Sequence, residues 1–387
     1  KPTHLNSFTI AESAFGWQQL SSSPTDALAP LSALEALNLG NNKLKQIPVN
    51  AFRGLRSLVI LLIKRNQISI IEDAAFVNLT SLRILELDDN ALVQVPPALS
   101  KLTSLQELSV SGNKIKYIPN GVLQNAQGLA KLELKGNPLI GVHPHAFSFL
   151  PKLRKLILSE ARDLKEFPSL NGTKALEILR IDRASITSVP VSLCTMCPRL
   201  KSLDMKSNNL SHIPNLNECK DLRVLNLGNN IFNELPTAGL ERLLHLKTFN
   251  NPNLREFPAP ENFPRIQTLV LSYAYHCCAF LPLISADPHP KAPLHESVIF
   301  PSDNEFDMTL WNSSLTDIWP QLRKLKEAIL CIKAFPKRLR ETEFVRTFNV
   351  RCLRRVRPPR KFANDVGVTV YCISERFYFC MILHDLP

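Results

Sequence analysis

The side chains able to do chemistry in this 387-residue chain are nine cysteines, nine histidines and its carboxylates and lysines, and their spacing decides which reactions are open. Cys194 and Cys219 fall at equivalent places in consecutive similar stretches, so their side chains could meet as a disulfide. Cys197 leaves a Cys194-x-x-Cys197 pairing or buried thiols as alternatives. No second C-x-x-C or paired histidines complete a zinc site with it. Adjacent Cys277 and Cys278 suit a cap tied to downstream cysteines. His143-Pro144-His145 has no further ligand nearby and reads as a loop pair. There is no G-x-S-x-G, phosphate loop or H-E-x-x-H, so the chain reads as non-enzymatic, with no catalytic residue, cofactor or metal expected.

Charge first looks like a nucleic-acid signal and then does not. The formal charge is +12, but Arg323 to Lys361 alone holds fourteen Lys or Arg against three Glu, a net of +11. The remainder is close to neutral, and the basic run reads as a tail, so no nucleic-acid partner is expected. Four sequons, at Asn78, Asn171, Asn209 and Asn312, join the cysteines in favouring an oxidising, extracellular setting. No window reaches the ~18 uncharged apolar residues of a membrane helix. No charged-then-apolar leader follows Lys1, so a mature or incomplete product is expected.

What positions these groups is a repeated frame. LEALNLGNNKL from Leu34 follows L-x-x-L-x-L-x-x-N-x-L, and the pattern returns from Leu58, Leu82, Leu105, Leu129, Leu153, Leu176, Leu200, Leu222, Leu243 and Ile266. A period this regular marks a leucine-rich repeat. Apolar alternation as at Leu37 and Leu39 is the signal of a short strand with one face buried. Asn42, Asn66, Asn90, Asn113, Asn137, Asn208 and Asn230 stand where the chain turns inward, so a stacked asparagine ladder is expected. Pro48, Pro96, Pro119, Pro190 and Pro214 start the convex side, and Phe52, Phe76 and Phe147 supply rings to a second internal stack. Ala161 and Ala184 replace the asparagine in two frames, and Leu164 and Leu254 sit one residue late. The expected fold is an α/β leucine-rich-repeat solenoid, with a curved, parallel concave β-sheet and short turns and 3-10 segments on the convex side.

Frame positions three, five, seven and eight point outward from the concave strands. They place Lys64, Arg65, Glu86, Asp88, Asp89, Glu107, Lys131, Glu133, Lys135, Arg180, Asp182, Arg183, Asp204 and Lys206 on one broad polar surface, which fits a folded protein ligand better than a small molecule. Charge reversal of Asp88 and Asp89 is expected to weaken partner binding and spare the fold.

The end of the array carries a more specific signal. SYAYHCCAF from Ser272, preceded by ENFPRIQTLVL from Glu261, resembles the cysteine-box boundary of leucine-rich-repeat G-protein-coupled receptors, the group of glycoprotein-hormone, R-spondin and bursicon receptors. LKEFPSLNGTKALEILRI from Leu164 is similar to that family's irregular unit, and SLCTMCPRL with NECKDL to the R-spondin and bursicon branch. The resemblance implies that Cys194 and Cys219 are a bridging pair and Cys277 and Cys278 hinge cysteines. It also implies a hormone or secreted regulator bound on the concave face and a place at the cell surface. The family's amino-terminal cysteine cap and seven membrane helices have no counterpart here, so an ectodomain truncated at both ends is expected. A G protein would be a partner only of a longer product.

The expected organisation is a poorly capping segment at 1–30, the solenoid at 31–280, a hinge-like linker at 281–322 and a disordered basic tail at 323–387. Two rival readings share the frame: an extracellular matrix or adhesion protein, and an intracellular signalling scaffold.

Overall fold

The computed structural model describes residues 28–273 and His276, and the backbone alone of Ser7–Thr9, Val368–Glu375 and Phe377–His384. Each frame supplies one short strand, from Ala36–Asn38 to Thr268–Leu271, and these strands lie parallel in sequence order within a 14-stranded sheet. The register puts like on like: Leu37 pairs with Leu61, Leu61 with Leu85, Leu85 with Leu108, and so on to Leu246 with Leu269. These leucines are buried, as are Leu34, Leu39 and Leu44 and their counterparts, so one apolar core runs the length of the array. No coil could bury its own leucine face alone, and stacking supplies the missing wall.

The chain leaves each of the first ten frame strands by a left-handed residue at frame position eight. Asn41, Arg65, Asp89, Gly112, Gly136, Glu160, Arg183, Ser207, Asn229 and Asn250 all have φ between 53 and 69°. That conformation costs a non-glycine residue about 1–2 kcal/mol and turns the backbone inward, stranding carbonyls inside the coil. The next residue satisfies them. Asn90 donates from Nδ2 to the Leu87 carbonyl and to the Ile63 carbonyl of the preceding coil, both at 3.0 Å, and accepts the Ile68 N–H on Oδ1. Asn66, Asn113, Asn208 and Asn230 make the same set, and Asn251 joins them at the end.

Where Ala161 and Ala184 interrupt the ladder, local bonds take over. The Leu139 N–H turns back to the Asn137 carbonyl at 2.8 Å. The late leucines are accommodated by one tight turn each, Leu164 N to Ala161 O and Leu254 N to Asn251 O, and both side chains still reach the core. The convex side is built of turns, 3-10 segments at Pro97–Lys101, Leu240–Arg242 and Pro260–Asn262, and one helical turn at Leu193–Met196. Phe52 stacks on Phe76 there, with ring centroids 6.0 Å apart.

Strands at both ends extend the sheet. Leu28 already lies in the core, and Ser7–Thr9 pairs in parallel with Ala36–Asn38, so elements of the amino-terminal segment extend the array. At the other end Val368–Glu375 and Phe377–His384 form an antiparallel hairpin whose second strand pairs with Thr268–Leu271. These residues belong to the segment expected to be disordered, and their run of β-branched and aromatic residues accounts for the strands. The proposed hinge at 281–322, the basic run, Cys277, Cys278 and Asn312 lie outside the described residues.

Candidate functional site

The concave sheet brings the outward charges together, because residues about 22 positions apart in the chain become neighbours on adjacent strands. Lys64 Nζ lies 3.3 Å from Glu86 Oε2, and Arg65 Nε lies 3.7 Å from Asp89. Lys131 reaches both Glu107 and Glu133, at 3.5 and 3.4 Å, and Lys155 binds Glu133 at 2.9 Å. Further along, Glu160 is shared by Lys135 and Arg183. Burial pushes the Glu133 carboxyl up, but the Lys155 hydrogen bond and the two lysine charges outweigh it and hold it below the ordinary range. Burial likewise opposes the charge on Lys131, and Glu133 and Glu107 more than restore it.

Asp88 and Asp182 are engaged by hydrogen bonds within the fold. Asp88 Oδ1 accepts from Ser109 Oγ and from the Ser111 N–H at 2.7 Å, and Asp182 accepts from Ser159 Oγ. Both carboxylates stitch one strand end to its neighbour. Charge reversal at Asp88 is therefore expected to damage the fold, which removes the Asp88 and Asp89 double reversal as a clean probe of binding. Arg180 is exposed and Lys206 half-exposed, and among the described residues neither side chain makes an ion pair.

Burial raises the carboxyls of Asp88 and Asp204 above their usual range, against the bonds from Ser109 and Ser111 to the first and from the Lys206 N–H to the second. A raised carboxyl holds its proton more tightly in the fold than in the unfolded chain. Its contribution is fully present below the ordinary value of 3.8 and is lost as pH rises through the raised one. Asp204→Asn keeps an oxygen for the Lys206 N–H without the charge. It is expected to raise stability at neutral pH and to flatten the acid limb of the stability profile, read by urea unfolding at about pH 4 and about pH 7. An unchanged profile would clear Asp204 of that role.

Sequence reasoning missed two groups here. Lys155 and Glu160 occupy the same outward positions as the named charges and hold the centre of the ion-pair lattice. Ile60, Leu62 and Ile84 fill positions three and five of the early strands and are only half-buried, an apolar patch on a charged face. The available signal was an apolar residue at an outward position.

Cys194 and Cys219 are bridged, with Cα atoms 4.7 Å apart. Their places are not equivalent, however. The Leu200 N–H binds the Cys197 carbonyl as the Leu222 N–H binds that of Cys219, so Cys197 is the counterpart of Cys219. The helical turn Leu193–Met196 carries Cys194 to the bridge instead, and the Cys197 thiol stays buried beside Thr173 Oγ1, with burial pushing it up. Asn171 and Asn209 are exposed and Asn78 half-buried. Among the described residues no helix is long and apolar enough to cross a membrane.

The chain is similar in sequence to leucine-rich repeat-containing G-protein coupled receptor 6 of Homo sapiens, 32% identical over 235 residues, which is 48% of this chain and 24% of the receptor. It is 33% identical over 237 residues to leucine-rich repeat-containing G-protein coupled receptor 5 of Xenopus tropicalis, 49% of this chain and 26% of that protein. It thus spans about a quarter of the length of these relatives. Among solved structures, the TLR13-ssRNA13 complex matches with a TM-score of 0.55 and 24% identity, over 64% of this chain and 41% of that one. An internalin (inlF) of Listeria monocytogenes matches with a TM-score of 0.51 and 22% identity, over 62% of this chain and 67% of that one. At such identities the likeness shows the fold alone. The Leucine rich repeat family profile matches residues 18–68, 32–92, 56–115, 103–161 and 174–232, which together exceed half the sequence. Carrying that profile on a stack of leucine-filled coils, the chain belongs to the leucine rich repeat family.

Proposed function

We propose that the chain is a non-enzymatic, extracellular binding module that holds a protein hormone or secreted regulator on its concave strands, as part of a cell-surface receptor. The observation that carries this reading is the composition of that face: half-exposed Ile60, Leu62 and Ile84 at one end, and Arg180 and Lys206, without an ion pair among the described residues, beyond a self-neutralising lattice of ion pairs. An apolar patch gives affinity, and charges left without internal partners give register and on-rate. The sequence similarity to the two receptors and the Cys194–Cys219 bridge support a receptor ectodomain over an adhesive protein or a cytosolic scaffold.

The test is direct binding by the full chain to a panel from the three ligand classes that the resemblance implies: R-spondins, bursicon and glycoprotein hormones. At least one is expected to bind, and Arg180→Glu with Lys206→Glu is expected to weaken it at least about tenfold, or about 1.4 kcal/mol. Among the described residues neither side chain makes an ion pair, but the Lys206 charge favours the buried Asp204 carboxylate, so thermal melting of the pair beside Arg180→Glu alone separates a binding effect from a loss of fold. Affinity unmoved by this pair and by Leu62→Asp would exclude the concave face.

A further inference from the structure

Beside the concave sheet, the chain descends through frame positions ten to thirteen along one lateral flank. In the first five frames these are Lys43 to Gln46, Gln67 to Ile70, Ala91 to Gln94, Lys114 to Tyr117 and Pro138 to Gly141. Backbone bonds tie the turns into one surface: Ser69 N to Lys45 O, Ala91 N to Ile68 O, Lys114 N to Leu92 O, and Ile140 N to Lys116 O. Gln46 pairs with Ile70 and Tyr117 with Gly141 in two-stranded ladders. The Tyr117 ring lies against Gly141, where an added Cβ would come 3.3 Å from Cε2.

Two features of this flank are unlike the concave face. Large apolar side chains point into solvent in successive frames, Ile70 at 53%, Val93 at 61%, Tyr117 at 43% and Ile140 at 60% exposure. Lys43, Lys45, Lys114 and Lys116 accompany them with no Asp or Glu at any of these flank positions. Among the described residues none of the four lysines makes an ion pair, whereas the concave Lys64, Lys131, Lys135 and Lys155 are all paired. The stripe stops beyond Gly141, where the flank turns carry Arg162, Asp163, Lys165 and Glu166 and then mainly polar residues.

We propose that this flank is a second docking surface, distinct from the concave site, for an acidic segment of a partner protein that carries apolar side chains between its carboxylates. At about 4.8 Å per coil, the five frames span about 20 Å, and Lys45 and Lys116 stand about 15 Å apart. An extended segment of about six residues covers that length at about 3.3 Å each. Its carboxylates meet the lysines, and its apolar side chains cover Ile70, Val93, Tyr117 and Ile140. A purely anionic polymer would satisfy the lysines and leave that apolar area wet.

The experiment uses the full chain and fluorescence anisotropy of a labelled twelve-residue peptide alternating glutamate with leucine or valine. Poly-glutamate of the same length and a heparin oligosaccharide serve as charge-only probes. The alternating peptide is expected to bind at least about tenfold more tightly than poly-glutamate. Lys45→Glu with Lys116→Glu should weaken it at least about tenfold, and Val93→Ser with Ile140→Ser about fivefold, while Arg180→Glu leaves it unchanged. All four flank side chains are exposed, so circular dichroism and melting should match the parent. Equal or tighter binding of either charge-only probe, or indifference to the Val93 and Ile140 pair, would overturn the proposal. So would loss of binding on Arg180→Glu.

Discussion

Asn113→Ala is expected to destabilise the protein by about 3–5 kcal/mol, because one amide serves three buried backbone groups at about 1–3 kcal/mol each. Its Oδ1 accepts the Leu92 N–H at 3.0 Å, and its Nδ2 donates to the carbonyls of Leu87 at 3.0 Å and Val110 at 2.9 Å. Two of these belong to the preceding coil, so the loss falls on the interface between repeats as well as within one. In a stacked array each coil is supported only by its neighbours, and a broken rung should split cooperative unfolding at that point. Urea unfolding would then show a second transition, and amide exchange would rise first around Leu87–Leu92 and Val110–Ile115. A loss under about 1 kcal/mol would mean that water replaces the amide and that the ladder is not what holds the turns. Ala161 and Ala184 show how the fold copes without a rung, by turning the Leu139 N–H onto the Asn137 carbonyl and the Leu164 N–H onto the Ala161 carbonyl.

The bridge should give the next largest effect, and an asymmetric one. Cys194 and Cys219 are 25 residues apart, a loop whose closure accounts for about 3 kcal/mol in the chain-entropy treatment. Cys219→Ala is expected to lose all of it. Cys194→Ala is expected to lose less, because Cys197 occupies the slot in the preceding repeat that matches Cys219 and can take over the pairing. Thermal unfolding of the two variants without reductant, with peptide mapping of the bridge by mass spectrometry, decides it. Equal losses, or a free Cys219 in Cys194→Ala, would rule out the substitute bridge. A parent protein insensitive to reductant would remove the stabilising role altogether.

How much of this was legible from residues alone follows from the range of each interaction. The leucine positions, the asparagine rungs and the eleven strands repeat a local pattern, and a pattern recurring every 21 to 24 residues needs no knowledge of distant partners. The left-handed residue at frame position eight went unread, since the slot holds Arg65, Glu160 and Arg183 as well as Gly112 and Gly136, and composition conceals a conformation that the coil imposes. The candidate surface was legible as a set of outward positions, whereas what each carboxylate bonds to was not. Asp88 and Asp182 looked like Asp89, yet their oxygens are taken by Ser109, Ser111 and Ser159.

The amino-acid order by itself determined that leucines must fill a coil and that the coil must stack on copies of itself, because burial of a periodic apolar face is a property of neighbouring residues. Only the stacked structure decided which charges are spent on one another and which stand free. Lys131, Glu107 and Glu133 cancel across strands, while Lys45 and Lys116 face solvent beside Val93 and Ile140. The reason is geometric: an electrostatic or apolar contact depends on separation in space, and one turn of this solenoid brings residues more than twenty positions apart to within 4 Å.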